Sequence, residues 1–126
     1  WQAKHWHAIA SAYGSSPFFM YYRDEIEPFF RRKTEYLIDF NNQITETLLS
    51  ILGIKAQMSF TSDYIRSGDP QYDDLRNAIH PKVEQHQGHN YYDETPYPQV
   101  FDSRMPFEPN LSVIDAIFNN GQLIDN

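Results

Sequence analysis

His5 stands first among the residues of this chain that could do chemistry. In the opening WQAKHWHAIASAY, Trp1, His5, Ile9 and Tyr13 recur every four residues, which puts them on one face of a helix. An imidazole there titrates near neutrality and suits a general base acting on an amine or hydroxyl nucleophile. The plainer alternative is a core histidine whose ring nitrogens are satisfied by neighbours. Lys4 points about 100° away around the helix, so it joins such a site only if a carboxylate or phosphate sits at its edge. His5 and His7 diverge by about 200° on a helix and are no metal pair. His80, His86 and His89 crowd together, but no fourth ligand accompanies them and no metal or cofactor is expected.

A second group lies in the last third, YPQVFDSRMPFEPNLSVIDAIFNNG, residues 97–121. Gln99 and Asn110 offer amides suited to hydroxyl-rich ligands, beside the rings of Tyr97, Phe101 and Phe107. Ser112 to Asp115 reads S-x-x-D before an apolar run, which is close to a capping box, and Asn110 is an alternative cap. Capping alone would explain Asn110, Ser112 and Asp115. Their company of aromatics and Gln99 adds a second reading, the wall of a substrate pocket, beside capping. Arg76 and His80 lie four apart, so on a helix they share a face able to grip a phosphate or carboxylate; an ordinary exposed face is the alternative. Asn41 interrupts an apolar stripe and either orients a substrate amide or hydroxyl or bonds a loop backbone. Lys33 breaks the same stripe near its start and is expected to reach solvent.

These residues need elements to position them. Helical spacing runs over residues 1–13 and stops at Gly14. Ser15-Ser16-Pro17 opens a short helical turn through Tyr22. From Pro28 to Leu52, Phe30, Leu37, Phe40, Ile44, Leu48, Ile51 and Leu52 form the stripe of a long central helix closed by Gly53. Residues 55–60, KAQMSF, read as a strand, residues 72–80 as a short helix ended by Pro81, and residues 98–101 as an edge strand. Residues 82–96 are a polar loop, and residues 110–119 a final helix. The expected fold is a single domain over residues 1–126, mainly α with a minor β component (α+β).

The chain has 126 residues and no cysteine, which excludes disulfides and thiolate metal sites and fits a cytoplasmic setting. Its net charge of −7 disfavours nucleic acid as a partner. No apolar run approaches the ~20 residues of a membrane span. Nine Tyr, nine Phe and two Trp supply rings that either fill a core or stack on sugars. Trp1 already sits inside a helical pattern, and GQLIDN stops just after a new start, so the chain reads as a fragment. No phosphate-cradling glycine motif, nucleophile elbow or nucleophilic cysteine is present, and the oligomeric state is left open.

Several blocks resemble the WbqC-like protein family: WQAKHWHAIASAY, the SPFF and YY that follow, LGI at residues 52–54, DLRNAIHPK at 74–82, YPQVF at 97–101 and FEPNLSVIDAIFNNG at 107–121. The resemblance implies the C-terminal part of a longer protein of bacterial surface-polysaccharide (O-antigen) synthesis. It implies an aminoacyl transferase, glycine being one donor group, acting on a sugar nucleotide or glycan intermediate. His5 would then be the base, with Lys4, Asn41, Arg76, His80, Gln99, Asn110 and Asp115 as substrate contacts. A non-catalytic module binding a glycan or a partner enzyme is the competing reading.

Overall fold

The computed structural model describes residues 1–74, 76, 95–109 and 111–121. The chain divides into two compact units, Trp1–Ala56 with Glu94–Asn126, and Gln57–Asp93. Among its described residues the first holds four helices: α1 (Gln2–Tyr13), α2 (Phe19–Arg31), α3 (Leu37–Ile51) and α4 (Val113–Asn120).

The hub is α2, which packs against the other three. Its buried residues Phe19, Tyr22, Ile26 and Phe30 recur at three- and four-residue steps. On another face Glu27 accepts from Arg23 and Arg31, each at 2.7 Å, a solvated i, i+4 triad. Trp6 of α1 stacks on Phe19 and Phe30 with ring centroids 5.9 and 5.8 Å apart. Phe118 of α4 meets Phe19 edge-on at 5.1 Å and Tyr13 at 5.3 Å. Each such ring contributes roughly 1.5–3 kcal/mol by leaving water, with a further ~0.5–1.5 kcal/mol per well-oriented pair. For these rings, core filling is the right account.

The expected long helix is two helices. Pro28 does not restart the chain; it lies inside α2, and its carbonyl accepts the Arg32 N–H at 3.0 Å. The break falls at Arg32, whose backbone is extended (φ −89°, ψ 136°). Gln2 explains why it holds there. Its Nε2 donates to the Phe29 carbonyl at 2.7 Å and the Arg32 carbonyl at 2.8 Å, satisfying acceptors that α2 leaves open at its end. Phe30 therefore belongs to α2, and Lys33 to the connection before α3.

The expected β component is also corrected. Among the described residues there is no strand, so the fold is helical and not α+β. Residues 55–60 are exposed at every position and join no ladder, and an unpaired strand has no stability of its own. Residues 98–101 enter turns instead. Asp102 Oδ1 accepts the Gln99 N–H at 2.8 Å, the Gln99 carbonyl accepts the Asp102 N–H, and the Phe101 carbonyl accepts from Arg104 and Met105. Side-chain capping of this kind competes with a ladder and wins where no neighbouring strand exists. No helix among the described residues is long and apolar enough to cross a membrane.

Of the second unit, residues 57–74 and 76 are described and are helix-free. The expected helix at 72–80 is not helical in its described part; the rest of it, and all of the polar loop but residues 95 and 96, lie outside the described residues. Arg76 ties the loop. Its Nε and Nη2 donate to the two Asp74 carboxylate oxygens at 2.7 and 2.6 Å, and Nη1 donates to the Ile65 carbonyl at 2.9 Å.

Candidate functional site

At the start of α4 the chain buries a carboxylate. Ser112 occupies the N-cap position, but its side chain makes no capping bond, and Asp115 does not reach back to it. The apolar stripe of α4 carries Ile117 and Phe118 inward, and Asp115 goes in with them, only 2 % exposed. A buried carboxylate needs donors. Tyr97 supplies its hydroxyl to Oδ2 at 2.7 Å, and Gln99 Nε2 donates to the same oxygen at 3.1 Å.

Gln99 is used on both ends. Its Nε2 also donates to the Glu108 carbonyl at 2.9 Å, and its Oε1 accepts the Glu108 N–H at 2.9 Å. The amide thus clamps residues 99–108 into a closed turn and hands its second proton to Asp115. Tyr97 is steadied by Phe107, edge-on at 5.2 Å. From α4 itself, Asn119 Nδ2 donates to the Asp115 carbonyl at 2.8 Å.

Tyr13, at the end of α1, faces the same carboxylate. Burial raises its pKa first; the hydrogen bond to Asp115 and that negative charge raise it further. Tyr97 is raised for the same reasons, burial leading, while Gln99 acts in the opposite sense. Both phenols are therefore held neutral beside the carboxylate, and Tyr97 donates to it. Beside them opens a cleft of about 170 Å³, lined by Ala12, Tyr13, Gln99, Phe101, Leu111 and Asp115 among others.

The other candidates fall elsewhere. His5 is exposed, and its ring meets Trp1 edge-on at 5.3 Å. The buried face of α1 is set by Trp6, with Ile9, Ala10 and Tyr13 packed beside the core, which turns His5 outward. His5 lies eight residues before Tyr13, roughly 12 Å along the helix axis, and does not line the cleft. Lys4 and Asn41 are exposed. Arg76 belongs to the second unit. His80 and Asn110, like His86 and His89, lie outside the described residues. Gln99 and Asp115 are the predicted pair that the fold brings together. Tyr13, and Tyr97 as a hydrogen-bond donor, had no local signal, because they are 102 and 18 residues from Asp115; Asn119, four residues on, is a local i, i+4 partner.

Residues 1–92 match the WbqC-like protein family. The chain belongs to that family. In this WbqC-like chain the match spans the N-terminal part, so the YPQVF and FEPNLSVIDAIFNNG blocks and the buried Asp115 lie beyond it. The matched part supplies α1, α2 and α3, and with them Ala12 and Tyr13 of the cleft wall. No protein of curated function and no solved structure matches the chain.

Proposed function

We propose that this WbqC-like chain acts in the cytoplasm in the synthesis of bacterial surface polysaccharide, O-antigen among them, as the part that holds a sugar. The cleft beside Asp115 receives one polar corner of a sugar nucleotide or glycan intermediate. The observation that carries this reading is the buried carboxylate itself, fixed by Tyr97 and Gln99 with Tyr13 and Phe101 alongside. Fixed acceptors next to aromatic faces suit hydroxyl-rich ligands. The size of the cleft limits it to part of a ligand, since whole small-molecule sites run to about 300–1,000 Å³.

A second reading is the aminoacyl or acyl transferase, glycine being one group transferred to a sugar amine or hydroxyl. The exposed His5 imidazole, its ring steadied by Trp1 alone among the described residues, favours it as a base open to substrate. Lys4, Asn41 and Asn110 would then serve as further contacts, while Arg76 is engaged by Asp74. Against this stands the cleft lining, which includes no histidine, lysine or cysteine among the described residues.

Calorimetry with sugar nucleotides tests the binding reading. Ala12→Trp fills the cleft from the α1 side and should abolish the heat of binding; unchanged binding with an unchanged fold sinks the assignment. For transfer, His5→Ala is assayed by the polysaccharide that the protein supports in the cell. Normal product from a folded variant removes His5 as base.

A further inference from the structure

The second unit contains a larger opening that the reading above does not use. Residues between Thr61 and Asp74, with Arg76, line an open basin of about 560 Å³, Tyr64, Tyr72, Arg66 and a set of aspartates among them. That volume falls within the usual range of small-molecule sites. Its most unusual member is Tyr64, 81 % exposed. Its ring is backed by the Arg76 guanidinium, centred 5.5 Å from the ring centroid. That guanidinium is itself locked by both oxygens of Asp74 and by the Ile65 carbonyl. A large ring left in water yet held by a fixed cation is a prepared stacking surface, not a loop residue adrift. Tyr72, 54 % exposed, lines the same basin.

The polar lining decides what stacks there. Asp63, Asp69, Asp73 and Asp74 outnumber Arg66 and Arg76, and Arg76 is committed to Asp74. That balance repels phosphate and carboxylate groups. Asp63 and Asp69 each engage one oxygen within the loop, with the Ser62 hydroxyl and the Gln71 N–H. The other oxygens are acceptors of the kind that neighbouring sugar hydroxyls fill.

We propose that this basin is a binding site for an uncharged sugar of one or two rings, its apolar face stacked on Tyr64 and its hydroxyls donated to the loop aspartates. All of its lining residues belong to the second unit, so the proposal does not rest on the reading of the Asp115 cleft.

The test uses the full chain and three probes: chitobiose, glucose 1-phosphate and adenosine, followed by saturation-transfer NMR and titration. Chitobiose should bind, and glucose 1-phosphate should bind more weakly. Tyr64→Ala should weaken chitobiose about tenfold, while Tyr64→Phe keeps it within about twofold. Ala12→Trp, which fills the other cleft, should leave it unchanged. Tyr72→Ala serves as the second variant should Tyr64→Ala lose its fold. The proposal is overturned by absence of chitobiose binding, by adenosine binding in its place, by preference for the phosphorylated sugar, or by an unaffected Tyr64→Ala.

Discussion

Asp115 and Asp74 both sit at the centre of a hydrogen-bonded group, and they illustrate opposite uses of a carboxylate. Asp115 is buried, and the donors to its carboxylate, Tyr97 at 2.7 Å and Gln99 at 3.1 Å, are neutral. Asp74 keeps 20 % of its side chain in solvent and is matched by a full guanidinium that is 46 % exposed. The shorter and more highly charged pair is the one at Asp74. Yet water screens it, and exposed ion pairs contribute little to stability. The neutral group at Asp115 holds more, because the buried carboxylate would lose its donors in a place where water cannot substitute. Location, more than formal charge, sets what each aspartate is worth.

Replacing each carboxylate puts that contrast to the largest test. Asp115→Ala takes the shared acceptor from the part-buried Tyr97 and Gln99 donors and should lower unfolding stability by about 1–3 kcal/mol. The signature is a lower urea midpoint with an unchanged slope. Asp74→Ala should leave the midpoint where it is. Equal shifts for the two variants would break the comparison.

The far end of α4 asks whether Asp115 acts alone in seating that helix. Gly121 has φ +74°, and a Cβ there would lie 3.1 Å from the ring of Phe18, a residue whose backbone N–H donates to the Phe118 carbonyl at 3.0 Å. Gly121→Ala should therefore destabilise by about 1–3 kcal/mol. A double variant with Asp115→Ala should give less than the sum if the two ends seat α4 together.

Single donors come next. Tyr97→Phe removes one hydrogen bond while keeping the ring on Phe107, and should cost about 0.5–1.5 kcal/mol. Tyr13 and Tyr97 also predict a pH response. Their folded pKa values are raised above the ordinary 10.0. Their contribution is thus complete below about pH 10 and is lost as pH rises through the folded values. Stability should fall at alkaline pH, and Tyr13→Phe should flatten that fall. Asp115→Asn should flatten it only in part, because burial is the leading cause at both phenols.

Parts of this were legible in the sequence. The first helix ends at Tyr13 as its spacing indicates, and the last begins at Val113, close to the expected start. The 3.6-residue period did not reveal the break at Arg32, because the apolar stripe runs on through it. What fixes the break is the Gln2 side chain, thirty residues away. The period placed Trp1 and His5 inward, yet Trp6 is the buried anchor and Trp1 is 62 % exposed. Two adjacent faces of one short helix both carry aromatics, and only packing against Phe19 and Phe30 chooses between them. At Ser112 and Asp115 the local rule was sound chemistry, and a tertiary set of donors displaced it. Residues 55–60 had a strand's composition and no partner.

The smallest expected effect falls on Asp74. Its two bonds to the Arg76 guanidinium and the Arg76 N–H hold its carboxyl well below the usual range. Whatever order it lends the loop is therefore present above the ordinary aspartate value, near pH 4, and is lost as pH falls through the lower folded value. Since the pair is solvated, Asp74→Asn should leave global unfolding untouched and act locally instead. It should free the Arg76 guanidinium from the Tyr64 ring, which NMR would register as changed Tyr64 ring shifts. Salt at about 1 M, where screening reaches within about 3 Å, should move the same resonances in the same direction in the unaltered chain. At Asp115, buried among neutral donors, salt should do nothing to Tyr97. A Tyr97 response to salt as large as that of Tyr64 would show that burial is not what separates the two carboxylates.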